Sequence, residues 1–263
     1  MRKRFSWFLP LFVTLATAIF LIVPAILSIL AGLTANYFRG LSSGLTLKWL
    51  EKVWELYADS IFLSLWIAFM CLIVTLLIGV PAAYALARNP GRISRILEEF
   101  ISLPLAVPGL ALALALLQLY GTMKGFRTSW TFILVGHVLY TLPFMVRSVL
   151  AVLMAMDFRT LEESAATLGA SPFTRFRTIV VPNAIPGILA GALTVVTLSI
   201  GEFNLTWMLH TPYLKTLPVG LADSYASMRL EIASAYTLVF FVMIVPLLMA
   251  MQSASARAQR IVQ

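Results

Sequence analysis

The chain has 263 residues, of which 60% are apolar and 11% charged, and its formal net charge is +8. A soluble domain has roughly 45–50% apolar and about 25% charged residues, so this composition needs lipid as part of the solvent. The single cysteine, Cys71, excludes an internal disulfide or a cysteine metal cluster. The two histidines, His137 and His210, lie far apart in sequence, and we expect no metal catalysis. We expect the basic residues to face the inner membrane leaflet rather than nucleic acid.

Six runs with little or no charge are long enough for transmembrane helices, which need about 20 apolar residues. The runs are 7–33, 60–87, 100–121, 129–156, 183–208 and 233–252. Because they are long and continuously apolar, they indicate helices rather than the short alternating segments of a barrel. The uncharged stretch Phe5–Phe38 exceeds the core of a signal peptide, which favours an uncleaved first helix. We therefore predict an all-α polytopic membrane protein with six transmembrane helices.

The distribution of basic residues sets the orientation through the positive-inside rule. With the N-terminus in the cytoplasm, 11 of the 19 Lys and Arg residues fall on the inner side and seven on the outer side, while Arg147 lies within the fourth span. We therefore predict that both termini are cytoplasmic. The outer segment of about 34–59 is polar and aromatic, and it fits either an amphipathic surface helix or a solvated loop.

Small residues recur every four positions in Gly79-Ala83-Ala87 and in Gly187-Gly191. This spacing permits close contact between membrane helices. Packing within the chain and a dimer interface both remain open as its purpose.

The inner segment between the fourth and fifth spans carries signals for two short helices. Thr160 followed by Glu163 is a capping-box pattern, which predicts a helix that begins directly after Thr160. Gly169 suits the left-handed position that ends such a helix. Ser171 and Pro172 then read as the N-cap and first-turn proline of a second helix. We predict a helix–turn–helix elbow tied directly to two membrane helices.

This segment resembles the EAA loop of type I ABC importer permeases, the binding-protein-dependent inner-membrane components. That pattern is Glu-Ala-Ala, three residues, Gly, nine residues, Ile, one residue, Leu-Pro. The positions that match it here are Glu163, Ala165, Gly169, Ile179 and Pro182. Ser164 replaces the first alanine and Val181 replaces the leucine. The resemblance extends over about residues 58–252.

The resemblance implies a core of five or six helices, paired with a second permease subunit that is either a homologous chain or a second copy. It divides the chain into 1–57, a first helix with a periplasmic segment, 58–252, the permease core, and 253–263, a cytoplasmic tail. The coupling loop is 157–182. Residues expected to couple to a cytoplasmic ABC ATPase dimer are Glu162, Glu163, Ala165, Gly169, Ala170, Ser171 and Pro172.

The resemblance also implies a periplasmic substrate-binding protein as the source of the solute. The chain has no Gly-x-x-x-x-Gly-Lys-Ser/Thr loop with which to hold ATP phosphates. We therefore expect no enzyme activity and no cofactor in this chain, with ATP and Mg²⁺ bound by the partner ATPase.

Glu202 and Asn204 are polar residues within the fifth span, where lipid exposure of a charge is costly. We expect them to line the translocation path near the second permease; the alternative is a structural pair of Glu202 with Arg147 or with a backbone donor. A carboxylate suits a cationic or amine-bearing solute. The length, the six spans and Gly201-Glu202-Phe203 are similar to the polyamine, ferric iron, thiamine and aminoethylphosphonate branch of the family.

Two other classes of protein compete with a transport permease. A membrane-embedded enzyme needs several acid, base or nucleophilic side chains at one depth, whereas the spans contain only Glu202, Arg147 and His137, scattered over two helices. An ion channel needs a ring of charges or carbonyls around one axis. Association with an ATPase distinguishes the permease from both.

Overall fold

A computed structural model describes the backbone of residues 2–262 and the side chains of residues 9–253 and of Ala256. The basic side chains at positions 2–4, 257 and 260, which support the predicted orientation, lie outside the described residues. Within the described part the elements are helical, with two isolated β-bridges and no strand, so the all-α prediction is confirmed. In chain order the helices are α1 (Arg2–Gly32), α2 (Lys48–Arg88), α3 (Arg92–Ala106), α4 (Gly109–Tyr120), α5 (Lys124–Arg127), α6 (Trp130–Met154), α7 (Phe158–Thr167), α8 (Pro172–Arg175), α9 (Val181–Gly201), α10 (Asn204–Leu209), α11 (Leu217–Ala226) and α12 (Leu230–Val262).

Five described helical stretches are long and apolar enough to cross a membrane, and a bent pair of helices supplies a sixth candidate. The five are Leu9–Gly32, Lys48–Arg88, Trp130–Met154, Pro172–Gly201 and Leu230–Ser253. Five of the six predicted spans therefore correspond to continuous helical stretches, and the third, 100–121, corresponds to the bent pair, which gives six if that pair is one span.

The third predicted span, 100–121, is broken. Helices α3 and α4 meet at an angle of 103°. The chain is extended at Val107, with φ −99° and ψ 127°, and at Pro108, with φ −56° and ψ 140°. Proline disfavours a helical conformation at the preceding residue and lacks the N–H that would continue the helix, which favours a break here. Proline alone is not sufficient, because Pro104 and Pro143 lie inside continuous helices. Helix α3 also begins at Arg92, eight residues before the predicted start.

The fifth predicted span, 183–208, is also wrong at both ends. A π-helical turn at Phe176–Val180 joins α8 to α9, so one helical stretch starts at Pro172 and ends at Gly201. Glu202 then adopts an extended conformation with ψ 117°, and the short helix α10 follows after Phe203. We call the pair Glu202-Phe203 the polar break.

The packing divides the chain into two compact units. The N-terminal unit comprises residues up to Ala58 together with Gly220–Ile244, and the core unit comprises Asp59–Val219 together with residues from Val245 onward. In the N-terminal unit the rings of Tyr57 and Tyr236 stack at 4.9 Å, and Ser224 donates a hydrogen bond of 2.8 Å to the Tyr57 hydroxyl. Segment 34–59, which the sequence predicts to lie on the outer side, is part loop and part helix, because α2 already begins at Lys48.

In the core unit, α6 and α9 pack closely along their length. A Cβ atom added to Gly187 would lie 2.6 Å from the carbonyl oxygen of Ser148, and one added to Gly191 would lie 2.8 Å from the sulfur of Met145. A Cβ on Gly79 of α2 would also lie 2.8 Å from Met145, at Cγ. The small residues at four-residue spacing therefore serve packing within the chain.

We expect Gly187→Ala to destabilise the protein, because its new methyl group would meet the backbone of α6 rather than a movable side chain. Overpacking of this kind costs about 1–3 kcal/mol, which outweighs the roughly 1 kcal/mol that alanine gains over glycine in a helix. The measurement is the thermal unfolding temperature in detergent. Gly125→Ala is the matched control, since nothing lies within 4 Å of its added Cβ. An unfolding temperature for Gly187→Ala at or above that of the control would contradict the packing account.

Candidate functional site: a held elbow and a polar helix break

The elbow, residues 157–182, begins at an aspartate. Asp157 is the N-cap of α7, and its side chain accepts hydrogen bonds from Thr160, at 3.4 Å from the backbone N–H and 2.7 Å from the hydroxyl. The helix therefore starts at Phe158, three residues earlier than the capping-box pattern predicted, and Thr160 lies within its first turn. An aspartate caps as well as a threonine does, and Phe158 is buried, which favours the earlier start.

The turn of the elbow is as predicted. Gly169 has φ +85°, the left-handed conformation that favours glycine. Its N–H donates to Ala166 and the N–H of Ala170 donates to Ala165, each at 3.0 Å, which closes the end of α7 with a Schellman motif. Ser171 then accepts the N–H of Thr174 at 3.2 Å as the N-cap of α8, and Pro172 opens that helix.

A buried carboxylate holds the elbow to the end of α2. Glu162 is 3% exposed, and Tyr84 donates a hydrogen bond of 2.6 Å to its Oε1. Arg88 donates to the Tyr84 hydroxyl at 2.9 Å and places its Nε 4.0 Å from Glu162 Oε2. Arg159 donates to the carbonyl of Ala87 at 2.7 Å. Charge-assisted bonds of this kind fix the elbow to α2.

The predicted coupling residues differ in their exposure. Glu163, Gly169, Ser171 and Pro172 are exposed, whereas Ala165 and Ala170 are half-buried. Glu162 faces inward, so it holds the elbow in place rather than forming its outer surface. The structure also adds two apolar side chains that the sequence reading passed over: Leu168 is 88% exposed and Phe173 is 71% exposed. The sequence offered one signal for this pair: a large apolar residue lies on either side of the Gly169–Ser171 turn, where a solvated turn would favour polar residues.

At the polar break, the Glu202 carboxylate accepts the N–H of Leu205 at 2.8 Å and so satisfies one free donor of α10. A Cβ on Gly109, the first residue of α4, would lie 3.6 Å from Glu202 Oε1 and 3.6 Å from Asn204 Cβ. The breaks in the third and fifth spans therefore meet. Glu202 is half-buried and Asn204 is exposed. Of the structural partners considered for Glu202, the backbone donor is present, while Arg147 lines a different cleft.

One imidazole bonds both sides of the polar break. His137 on α6 is buried, with Nδ1 2.8 Å from the Ser199 hydroxyl on α9 and Nε2 2.7 Å from the Thr206 hydroxyl on α10. Thr141 donates to the His137 carbonyl at 2.7 Å. In lipid, polar side chains between helices need partners of this kind, so His137 fixes the geometry of the break.

These features define a class of protein: a polytopic α-helical membrane protein with helices broken at a shared polar point, an arrangement typical of transporters. The family model described as "Binding-protein-dependent transport system inner membrane component" matches residues 76–260. The match covers well over half of the chain, and the protein belongs to this family.

Similar proteins agree with this membership. PhnV of Salmonella typhimurium, assigned as permease protein to a 2-aminoethylphosphonate transport system, is 27% identical over 91% of this chain and 91% of its own length. The spermidine/putrescine transport system permease protein PotC of Escherichia coli is 29% identical over 77% of this chain and 76% of its own length. The fold is similar to a chain of the inward-facing MetNI methionine ABC transporter, with a TM-score of 0.65 and 20% identity over 81% of this chain and 99% of that chain.

We expect Glu162→Ala to loosen the elbow, because it leaves the Tyr84 hydroxyl without its acceptor and Arg88 without its ion-pair partner. Loss of a hydrogen bond to a charged group costs about 1.5–3 kcal/mol. The measurement is amide hydrogen exchange across α7, which should speed up by roughly tenfold or more. The neighbouring Glu163→Ala is the control: it removes the same charge from an exposed position and should leave exchange near the wild-type rate. Equal protection in the two variants would show that Glu162 does not hold the elbow.

Proposed function

We propose that this chain is the translocation subunit of an ATP-binding-cassette importer. A periplasmic binding protein delivers a small solute, and the chain, with a second permease subunit, releases it into the cytoplasm by alternating access. The second subunit is either a homologous chain or a second copy. The observation that supports the proposal best is the elbow: two capped short helices with an exposed apolar tip, bonded through Glu162 to the end of α2.

The energy for this cycle comes from a partner. ATP and Mg²⁺ bind a cytoplasmic ATPase dimer, and this chain contributes no cofactor and no hydrolysis. A partner shifts a conformational equilibrium only if it binds one state better than the other. The elbow is therefore the place where the closed and open ATPase dimers must make different contacts.

The tip of the elbow suits insertion into a groove on the ATPase. Leu168 and Phe173 would bury apolar surface there, and exposed Glu163 is free to pair with a basic residue of the partner. The force reaches the membrane by two routes. Helix α8 continues through the π-helical turn into α9, and the Glu162 contact joins α7 to α2.

The polar break is the proposed translocation path. Glu202 and Asn204 lie where two broken spans meet, and discontinuous helices of this kind form binding sites in transporters. A carboxylate suits a solute that carries an amine. The solutes named for PhnV and PotC, 2-aminoethylphosphonate and the polyamines, share that group. The competing role for Glu202 is to cap α10 and no more.

We expect Leu168→Ser combined with Phe173→Ser to weaken ATPase association, because the pair supplies most of the exposed apolar surface at the tip. Full burial of two such side chains stabilises a contact by about 3–6 kcal/mol, so co-purification of the ATPase should fall at least tenfold. Glu163→Lys should act in the same direction by reversing the charge.

The control for the apolar tip is Tyr213→Ser, which removes a side chain that is 94% exposed outside the elbow. The ATPase is recognised by its phosphate-binding loop sequence in the co-purified material. Undiminished association of the double serine variant, at normal expression, would remove the tip from the coupling site.

We expect both termini and the elbow to be cytoplasmic, as the basic residues indicate. Reporter fusions at Ser171 and Ser43 should report the cytoplasm and the periplasm respectively, because Ser171 lies within the basic segment 157–182 and one membrane span separates Ser43 from the basic N-terminal segment. The reverse pattern would overturn the topology and the proposed direction of coupling with it.

We expect Glu202→Gln to reduce uptake of an amine-bearing solute while binding-protein-stimulated ATP hydrolysis continues. Glutamine keeps an oxygen that accepts the Leu205 N–H, so the change removes the charge and preserves the cap. Glu202→Ala removes both the charge and the hydrogen-bond acceptor. Comparing it with Glu202→Gln therefore separates a role in the translocation path from a role as the cap of α10. If Glu202→Gln transports normally and only Glu202→Ala fails, Glu202 is a cap and does not line the path.

A further inference from the structure

A cleft of about 400 Å³ opens in the core unit beside the elbow's attachment point. The end of α2, the Pro90-Gly91 loop, the first turns of α3 and the last turns of α6 line it. Its polar groups come from Ser94, Arg95, Glu98 and Arg147. None of these residues belongs to the coupling surface or to the polar break.

The two arginines of the cleft are free to bind an anion. Both side chains are exposed, and within residues 9–253 neither makes an ion pair, including with Glu98. Ser94 already donates to the carbonyl of Asn89. With two guanidinium groups against one carboxylate, the cleft carries a net positive charge.

Apolar surface adjoins these charges. Leu86, Leu150 and Met154 line the cleft itself. No residue of α3 is buried, and the helix exposes apolar side chains along its length: Ile93, Ile96, Leu97, Phe100 and Leu103. The polar positions of α3 carry Glu98 and Glu99 as well as Arg92 and Arg95, so the positive charge of the cleft depends on Arg95 together with Arg147 of α6. The exposed apolar side chains of α3 adjoin this charge and suit contact with lipid acyl chains.

We propose that this cleft binds the phosphate headgroup of an anionic phospholipid, held by Arg95 and Arg147, with the acyl chains along the apolar face of α3. Basic pockets between membrane helices bind such headgroups, and guanidinium groups match phosphate oxygens in geometry. Free phosphate would use the arginines but not the adjoining apolar surface, which is why we assign a lipid. The leaflet is the one at the elbow's end of the protein, which is the cytoplasmic leaflet under the proposed orientation.

The test compares lipid binding by the full chain, purified in detergent with any subunits that accompany it, using native mass spectrometry. The wild type should bind phosphatidylglycerol more tightly than phosphatidylcholine. Arg95→Gln combined with Arg147→Gln should weaken phosphatidylglycerol binding by roughly thirtyfold, from about a fivefold loss for each basic residue near the surface. Arg92→Gln combined with Lys124→Gln removes equal charge from positions outside the cleft and should change binding little.

Glu98→Gln removes the one negative charge that lines the cleft and should tighten phosphatidylglycerol binding. A misfolded variant would lose binding, so an increase in affinity cannot come from misfolding. Equal binding of the two lipids by the wild type, or equal losses in the two double variants, would overturn the proposal. Competition by inorganic phosphate at the concentration at which the lipid binds would assign the cleft to free phosphate instead. None of these measurements depends on transport, so their outcome is independent of the proposed function.

Discussion

A carboxylate that leaves water needs partners, and Glu162 finds its partners on the end of α2. An unpaired buried charge costs several kcal/mol, so the hydrogen bond from Tyr84 and the ion pair with Arg88 are required for α7 to lie where it does. The bond from Arg159 to the Ala87 carbonyl acts at the same end of α2. The elbow is consequently continuous with α9 through the backbone and joined to α2 through side chains. Under the proposed function, a displacement of its tip would pass to both membrane helices through these contacts.

A second constraint shapes the region between these helices. Backbone groups at membrane depth must find hydrogen-bond partners inside the protein. Two spans are interrupted, and the interruptions meet at Gly109 and Glu202. The Glu202 carboxylate satisfies a backbone donor of α10, and His137 joins Ser199 to Thr206 across the polar break. The polar break is thus a defined geometry supported from α6, and a shift of α9 relative to α6 must change it. Under the proposed function, this is how movement of the elbow would reach the proposed path.

The predictions from sequence that the structure confirms rest on local patterns. Gly169 ends α7, and Ser171 with Pro172 opens α8, because cap geometry depends on a few neighbouring residues. The start of α7 was misplaced because Asp157 and Thr160 are both good caps, and the burial of Phe158 favours the first. The break at Pro108 could not be predicted from the proline alone, because Pro104 and Pro143 lie inside continuous helices, and the apolar content favoured an unbroken span. The inward placement of Glu162 and the meeting of two breaks depend on contacts between distant parts of the chain, which periodicity does not encode.

If the elbow transmits ATPase closure through the bond between Glu162 and α2, as proposed, that bond should set the ratio of solute uptake to ATP hydrolysis in proteoliposomes. Tyr84→Phe deletes the hydroxyl that donates to Glu162 while keeping the ring that packs on Phe158 and Phe176. A hydrogen bond to a charged group contributes about 1.5–3 kcal/mol. The account predicts that the variant transporter assembles and hydrolyses ATP but moves about tenfold less solute per ATP. A wild-type ratio in that variant would contradict it.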